Sequence, residues 1–253
     1  MSIAILGCGP AGLLATHAAV VMGHDDIDII SIKRKSLMPG AQYLHEHLPG
    51  TPDRVPDGVL RYVKRGDRDS YALKVYGDAT VPCSWDTFEE GTVSAWSMQK
   101  LYDWLWERYQ HLIIDNEVSD GVLDAITNNG SYEAVLSSIP LWCLCRKPGE
   151  HEFISADVYI SPVCAERDLP PNTIVYNGDL DDEWYRTSRI FGHESTESTR
   201  PMLGAIEGRK PIGNDCDCRP GITRIGRFGK WQKGVLVHSA YYDTHRALSE
   251  LTV

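Results

Sequence analysis

The sequence has no run approaching the roughly twenty apolar residues that a membrane-spanning helix requires. It also has no internal repeat and no low-complexity tract. What is left is the pattern of an ordinary globular chain with no membrane partner. A surplus of positive charge is missing too, since 25 Lys and Arg stand against 35 Asp and Glu for a formal net charge of −10. General nucleic-acid binders gather Lys and Arg to displace counterions, so that class is not expected here. No G-x-S-x-G elbow occurs, which leaves serine-hydrolase chemistry without support. The chain enters a strand-like apolar segment at Ser2 with no charged stretch before it. No secretory signal is therefore expected, and the chain reads as cytoplasmic.

Cysteine is present but in an odd number, seven, which in a chain read as intracellular points to reduced thiols rather than a disulfide framework. Cys143-Leu144-Cys145, Cys164 and Cys216-Asp217-Cys218, with His151 or His193 nearby in sequence, are the residue types of a tetrahedral zinc site. Their C-x-C spacing departs from the usual C-x-x-C knuckle, so neither a metal nor a redox pair is expected.

The 253 residues suffice for one large α/β domain or for a nucleotide-binding domain with a smaller insertion. We favour the second: a Rossmann-type domain over 1–48 and 114–253, with a loop-rich segment at 49–113 as a mixed α+β insertion and candidate substrate cap. Ser2 to Leu6 reads as a buried strand. It runs through Gly7-Cys8-Gly9-Pro10-Ala11-Gly12 into an apolar helix from Leu13 to Met22, closed by Gly23, and Ile27 to Ser31 reads as a second strand. Between Lys33 and Pro82 the Pro-Gly punctuation predicts loops. Met98, Leu101, Tyr102, Leu105, Tyr109 and Leu112 repeat at the spacing of an amphipathic packing helix. Asn128-Asn129-Gly130 between Gly121–Ile126 and Tyr132–Pro140 predicts a β-hairpin. Further strands are expected at 156–161, 173–176 and 235–238, a polar surface loop at 192–220, and a helix at 243–251.

Strand, glycine turn, helix and second strand within about thirty residues is the context of dinucleotide binding. Gly7 permits the tight exit, Gly9 lets the backbone approach a pyrophosphate, and Gly12 allows the helix to pack on the strand. The helix start at Pro10 and Ala11 then presents free amides and a partial positive charge to phosphate. At the end of the second strand, where an acidic residue usually holds the adenosine ribose, stands Ser31, followed by Lys33, Arg34 and Lys35. Basic residues there commonly receive a 2′-phosphate, so NADP competes with FAD on local grounds.

Two further blocks bear on the choice. Thr173-Ile174-Val175-Tyr176-Asn177-Gly178-Asp179, followed by Trp184-Tyr185-Arg186-Thr187, resembles the "YTGxxD…YRT" segment of UDP-galactopyranose mutases and the amine-oxidase-like flavoproteins. Gly226-Arg227-Phe228-Gly229, with Tyr241-Tyr242-Asp243 and the terminal helix, resembles that group's closing motif. The resemblance implies FAD, with Gly226, Arg227 and the segment around Tyr242-Asp243 against the cofactor and Arg186 facing substrate. The residues alone leave Arg186 an alternative, an ion pair with the acidic run Asp179 to Glu183. Gln42-Tyr43-Leu44-His45-Glu46-His47 lies where flavoproteins often wrap a loop toward the flavin, which makes His45 a candidate acid or base; His47, His193, Glu194 and His238 are comparable candidates.

The reading is an FAD-dependent oxidoreductase acting on a small or nucleotide-linked substrate at the flavin N5, with Arg186, Tyr185 and His45 in substrate chemistry. A redox-neutral mutase or transferase, an NADP-dependent reductase and a non-catalytic nucleotide-binding regulator are the alternatives.

Overall fold

The structure, a computed structural model, describes every residue except Ala41, Asp53, Phe88, Asn129, Thr252 and Val253. In chain order the first half contains β1 (Ile3–Leu6), α1 (Pro10–Val21), β2 (Ile27–Ser31), β3 (Tyr43–Leu44), β4 (Gly58–Arg65), α2 (Arg68–Tyr76), α3 (Ser84–Thr87), β5 (Gly91–Ser97), α4 (Met98–Tyr109), β6 (Ile113–Asp115) and α5 (Asp120–Asn128). The second half contains β7 (Ala134–Ser137), β8 (Phe153–Ser161), β9 (Thr173–Asn177), β10 (Trp184–Ile190), β11 (His193–Ser198), β12 (Ile206–Asn214), β13 (Thr223–Arg224), α6 (Gly226–Lys230) and α7 (Ser239–Leu251).

Two sheets organise these elements. The first has the order β13-β7-β1-β2-β6 and is parallel throughout. Its three central strands, β7, β1 and β2, are buried on both faces, as a parallel sheet covered by helices requires. Ile3, Ile5, Ile27 and Ile29 pack under α1, α4 and α7. Ala4, Leu6, Ile30 and Val135 point the other way, against Leu123 and Ile126 of α5 and against Trp231. The second sheet, β12-β8-β11-β10-β9-β4-β5-β3, is antiparallel except for the β4–β9 pair, and α2 packs on it through Tyr71, Ala72 and Val75. No helix among the described residues is long and apolar enough to cross a membrane.

Four local readings are corrected. Residues 121–126 form helix, not one arm of a hairpin: Leu123 and Ile126 bury one helical face, and buried Arg219 clamps Asp120 and Asp124 together. In a strand those two carboxylates would stand about 13 Å apart, whereas one helical turn brings them to a single guanidinium. The Asn-Gly turn signal had no second strand to join, and Asn129 itself lies outside the described residues. The stretch read as loops between Lys33 and Pro82 contains β4 and α2. Leu60 and Tyr62 of β4 alternate into the core, and β4 pairs with β9 far along the chain, so the 49–113 segment shares a sheet with strands of 114–253. The polar 192–220 region holds β11 and β12. Residues 235–238 are not a strand, because the Val235 carbonyl accepts from Arg227 Nε at 2.9 Å.

Candidate functional site

The glycine turn has the three properties expected of it. Gly7 has φ +99°, and a Cβ there would meet Ser138 and Ile139 within 3 Å. A Cβ on Gly12 would fall 1.8 Å from the Gly7 carbonyl oxygen, so only glycine lets α1 close on β1. A Cβ on Gly9 meets nothing within 4 Å except the Ser36 hydroxyl at 3.5 Å. The helix starts at Pro10 with no side-chain cap on its first amides. An open approach beside an uncapped helix start is what a pyrophosphate needs, and the residues present therefore fit a dinucleotide.

The stretch after β2 folds back over this turn. Cys8 Sγ contacts the Ile32 and Arg34 carbonyls at 3.4 and 3.6 Å, and the Ser36 amide donates to Tyr102 at 2.9 Å. Lys33 and Arg34 are exposed, and the Ser31 hydroxyl turns to the Ile32 carbonyl. β2 carries no acid at its end, but the neighbouring strand supplies one. Ser31 pairs with Asp115 of β6, whose carboxylate accepts from the Lys33 amide at 2.7 Å. Reading along one strand misses Asp115, because the pairing joins residues far apart in sequence.

Gly226, at φ +67°, lies directly against this turn, since a Cβ on it would come within 2.9 Å of the Ala11 Cβ. The closing motif is held from behind by α7, where Asp243 pairs with Lys230 of α6 at 2.6 Å. Tyr242 is part-exposed, its ring 6.5 Å from that of His238. His238 in turn lies 6.1 Å from His45, and His45 lies 4.9 Å from Tyr43. Burial lowers the pKa of both histidines, and for His45 the charge on His238 lowers it further. Buried His238 Nδ1 has no hydrogen-bond partner among the described residues. His47 is turned away to Thr51, and Glu194 is paired with Arg189.

From Tyr43 a row of tyrosines crosses the second sheet through Tyr62, Tyr176 and Tyr71 to Tyr185, with successive ring centroids 6.4, 6.1, 6.0 and 6.2 Å apart. At its far end is a charged cluster. Arg186 is not paired with the 179–183 run; its guanidinium meets Glu197 across β11. A bulge between Trp184 and Arg186 turns Tyr185 to the same face, where its buried hydroxyl donates to Glu197 at 2.8 Å. Lys210 of β12 completes the group, 2.8 Å from Glu197 and 4.3 Å over the Tyr185 ring. Burial raises the Glu197 carboxyl, but Arg186 and Lys210 outweigh this and hold it at about 2. Burial lowers Lys210 to about 8, with Glu197 pulling the other way.

Arg227 lies close enough to interact with Arg186 and Glu197, and it has no ion-pair partner among the described residues. Two cations thus pair with one carboxylate, with Arg227 as a third within electrostatic range, in a chain of net charge −10. Glu197 and Lys210 were invisible to sequence reading because the polar region around them was taken for loop. A cue in the sequence was Gly192, which the structure places with Phe191 in a two-residue turn, at φ values of 51° and 80°, the positive pair of a tight hairpin.

No protein-family profile matches the chain, and no curated protein matches it in sequence. Solved structures do match in fold. A crystal structure of reduced UDP-galactopyranose mutase covers 98% of this chain and 96% of its own at TM-score 0.58 and 12% identity. The tetrameric form of 2-methyl-3-hydroxypyridine-5-carboxylic acid oxygenase covers 99% and 81% at TM-score 0.53 and 13% identity. The chain therefore has the Rossmann-type α/β fold with a second, mixed sheet that these two enzymes share. The mutase is also the enzyme that the three sequence blocks resemble. At such identities the likeness is one of fold.

Proposed function

We infer that the chain is an FAD-binding flavoenzyme, an oxidoreductase whose substrate is a small or nucleotide-linked anion. The observation that carries this reading is the convergence at Gly226-Arg227. One residue packs on the α1 start and the next is within electrostatic reach of Arg186, so three blocks dispersed along the sequence adjoin one another. Two of the fold neighbours are a mutase and an oxygenase, which supports an enzymatic role.

Gly7, Gly9, Pro10, Ala11 and Gly12 would receive the pyrophosphate. Ser31 and Asp115 would stand at the adenosine ribose, and Gly226, Arg227 and Tyr242 at the isoalloxazine end. Asp115 favours FAD over NADP, because its carboxylate would repel a 2′-phosphate approaching Lys33 and Arg34. Bound there, the flavin supplies the redox chemistry, and the chain's residues orient the substrate. Arg186, Lys210 and Arg227 would hold its anionic part, their charge surplus over Glu197 being what a phosphate or carboxylate neutralises. Tyr185, fully buried, would position Arg186 through Glu197. His45, kept neutral by its surroundings, would act as a proton acceptor beside Tyr43 and His238.

The absorption spectrum of the purified protein tests the reading. Flavin bands, with FAD released on denaturation, are expected, and a colourless protein that takes up no added FAD would sink it. Turnover that requires prior reduction yet consumes no electron acceptor would instead mark a redox-neutral transferase.

A further inference from the structure

Away from the glycine turn, the fold gathers four residues whose sequence spacing gave no metal signature. Cys145 and His151 come from the segment after β7, and Cys216 and Cys218 from the segment between β12 and β13. Cys145 Sγ lies 3.2 Å from His151 Nδ1 and 3.8 Å from Cys218 Sγ, and Cys218 Sγ lies 3.5 Å from His151 Nδ1. With Cys216 Sγ included, all four donor atoms lie within 4.8 Å of one another.

We propose that Cys145, His151, Cys216 and Cys218 form a structural zinc site. A tetrahedral ion with Zn–S near 2.3 Å and Zn–N near 2.0 Å sets sulfurs about 3.8 Å apart and sulfur about 3.5 Å from nitrogen. The separations of 3.8 and 3.5 Å match those edges, and the Cys145–His151 distance of 3.2 Å is slightly shorter than its edge. A disulfide between Cys145 and Cys218 would need its sulfurs at about 2.05 Å. Thiolate and imidazole donors select zinc over the hard cations, and four protein ligands leave no open position for catalysis. Binding displaces one proton from each of the three thiols, so Zn²⁺ enters as the protons leave.

The surroundings hold the donors in place. The Lys147 amide points at Cys145 Sγ at 3.4 Å, and the Cys216 amide donates to Asn214 at 3.1 Å. Arg224 donates to the Cys216 carbonyl at 2.6 Å, and Arg219 to the Leu144 carbonyl at 3.1 Å. Cys145 and Cys216 are buried in the core cluster that contains Trp231, and the site closes a loop of chain between residues 73 apart. The ion would thus fasten the exit of β7 to the approach of β13, immediately before Gly226-Arg227. Cys143 is outside the group, and Cys164 faces Thr187 on the other sheet, so two of the seven cysteines serve as internal controls.

Elemental analysis of the full-length protein purified without chelator is the test. One zinc per chain is expected, released stoichiometrically when the thiols are titrated with an organomercurial. Cys143→Ser and Cys164→Ser should keep the zinc, and the Cys216→Ser/Cys218→Ser pair should lose it. Should that double variant fail to fold, wild-type protein exchanged with Co²⁺ decides. Intense tetrahedral d–d bands with thiolate charge transfer support the site, and their absence overturns it. Zinc retained by a soluble double variant, or a Cys145–Cys218 disulfide in metal-free protein, would also overturn it. Metal content is read independently of flavin content, so the two readings stand or fall separately.

Discussion

Arg186 and Glu197 stand at equal distances from the Phe191-Gly192 turn, so the hairpin brings them face to face on adjacent strands. Glu197 is 5% exposed and receives Arg186, Lys210 and Tyr185. Breaking a buried pair from one side leaves the other charge uncompensated, at a cost of about 3–5 kcal/mol. Glu197→Gln, which keeps the volume, should therefore lower unfolding stability at pH 7 by about 3 kcal/mol. Urea denaturation measures this, and a change below about 0.5 kcal/mol would mean that the cluster is not held by its carboxylate.

The same carboxylate fixes an acid limb. Its folded value of about 2 lies below the ordinary 4.5. The stabilisation is thus complete above pH 4.5 and is lost as pH falls toward about 2. At about 1.4 kcal/mol per tenfold change in proton affinity, the limb amounts to on the order of 3 kcal/mol. Stability measured between pH 5 and pH 2 should decline less steeply in Glu197→Gln than in the wild type. Parallel curves would contradict the assignment.

In the proposed anion site, Lys210 should set the alkaline side of ligand binding. With its ammonium lowered to about 8, the cluster sheds one of its three cations as pH rises through that value. Pyrophosphate binding measured calorimetrically should weaken at least about fivefold between pH 7 and pH 9.5, in keeping with the loss of about 1 kcal/mol of charge-assisted contact. Lys210→Gln should bind weakly at both pH values. An unchanged pH profile in that variant would remove Lys210 from the anion site.

Gly9 and Gly12 should separate binding from folding. Gly12→Ala places a methyl group 1.8 Å from the Gly7 carbonyl, a backbone atom that cannot step aside, so little soluble protein is expected. Gly9→Val brings its Cβ no nearer than 3.5 Å to any atom beyond its chain neighbours and should fold with wild-type far-UV dichroism, but it should lose bound FAD. Stoichiometric flavin in folded Gly9→Val would place the cofactor elsewhere.

Thr187 tests the polar interior of the second sheet. Its buried hydroxyl bonds the Ser195 carbonyl at 3.1 Å and Thr196 Oγ1 at 2.8 Å, and it receives the Ala165 amide at 3.0 Å. Thr187→Val keeps the shape and removes the bonds to these partners, while the Ala165 amide keeps Thr196 Oγ1 at 2.8 Å, so the cost should be about 1 kcal/mol. A neutral result in thermal denaturation would show that they re-pair.

The sequence by itself determined the strand–glycine turn–helix start, the end of β2 at Ser31 and the packing helix α4, because each rests on contacts between near neighbours. A glycine's missing Cβ and a 3.6-residue apolar period are local facts. Tertiary structure decided the rest. β11 reads as loop because its buried face is Ser, Thr and Glu, residues that enter a core only when strands already hold their partners, as Ser188 and Ser195 hold each other at 2.9 Å. Asp115, Glu197, Lys210 and the Cys145–Cys218 cluster share that origin. Each acquires its chemistry from a residue remote in sequence, and only the tertiary fold sets which remote residues meet.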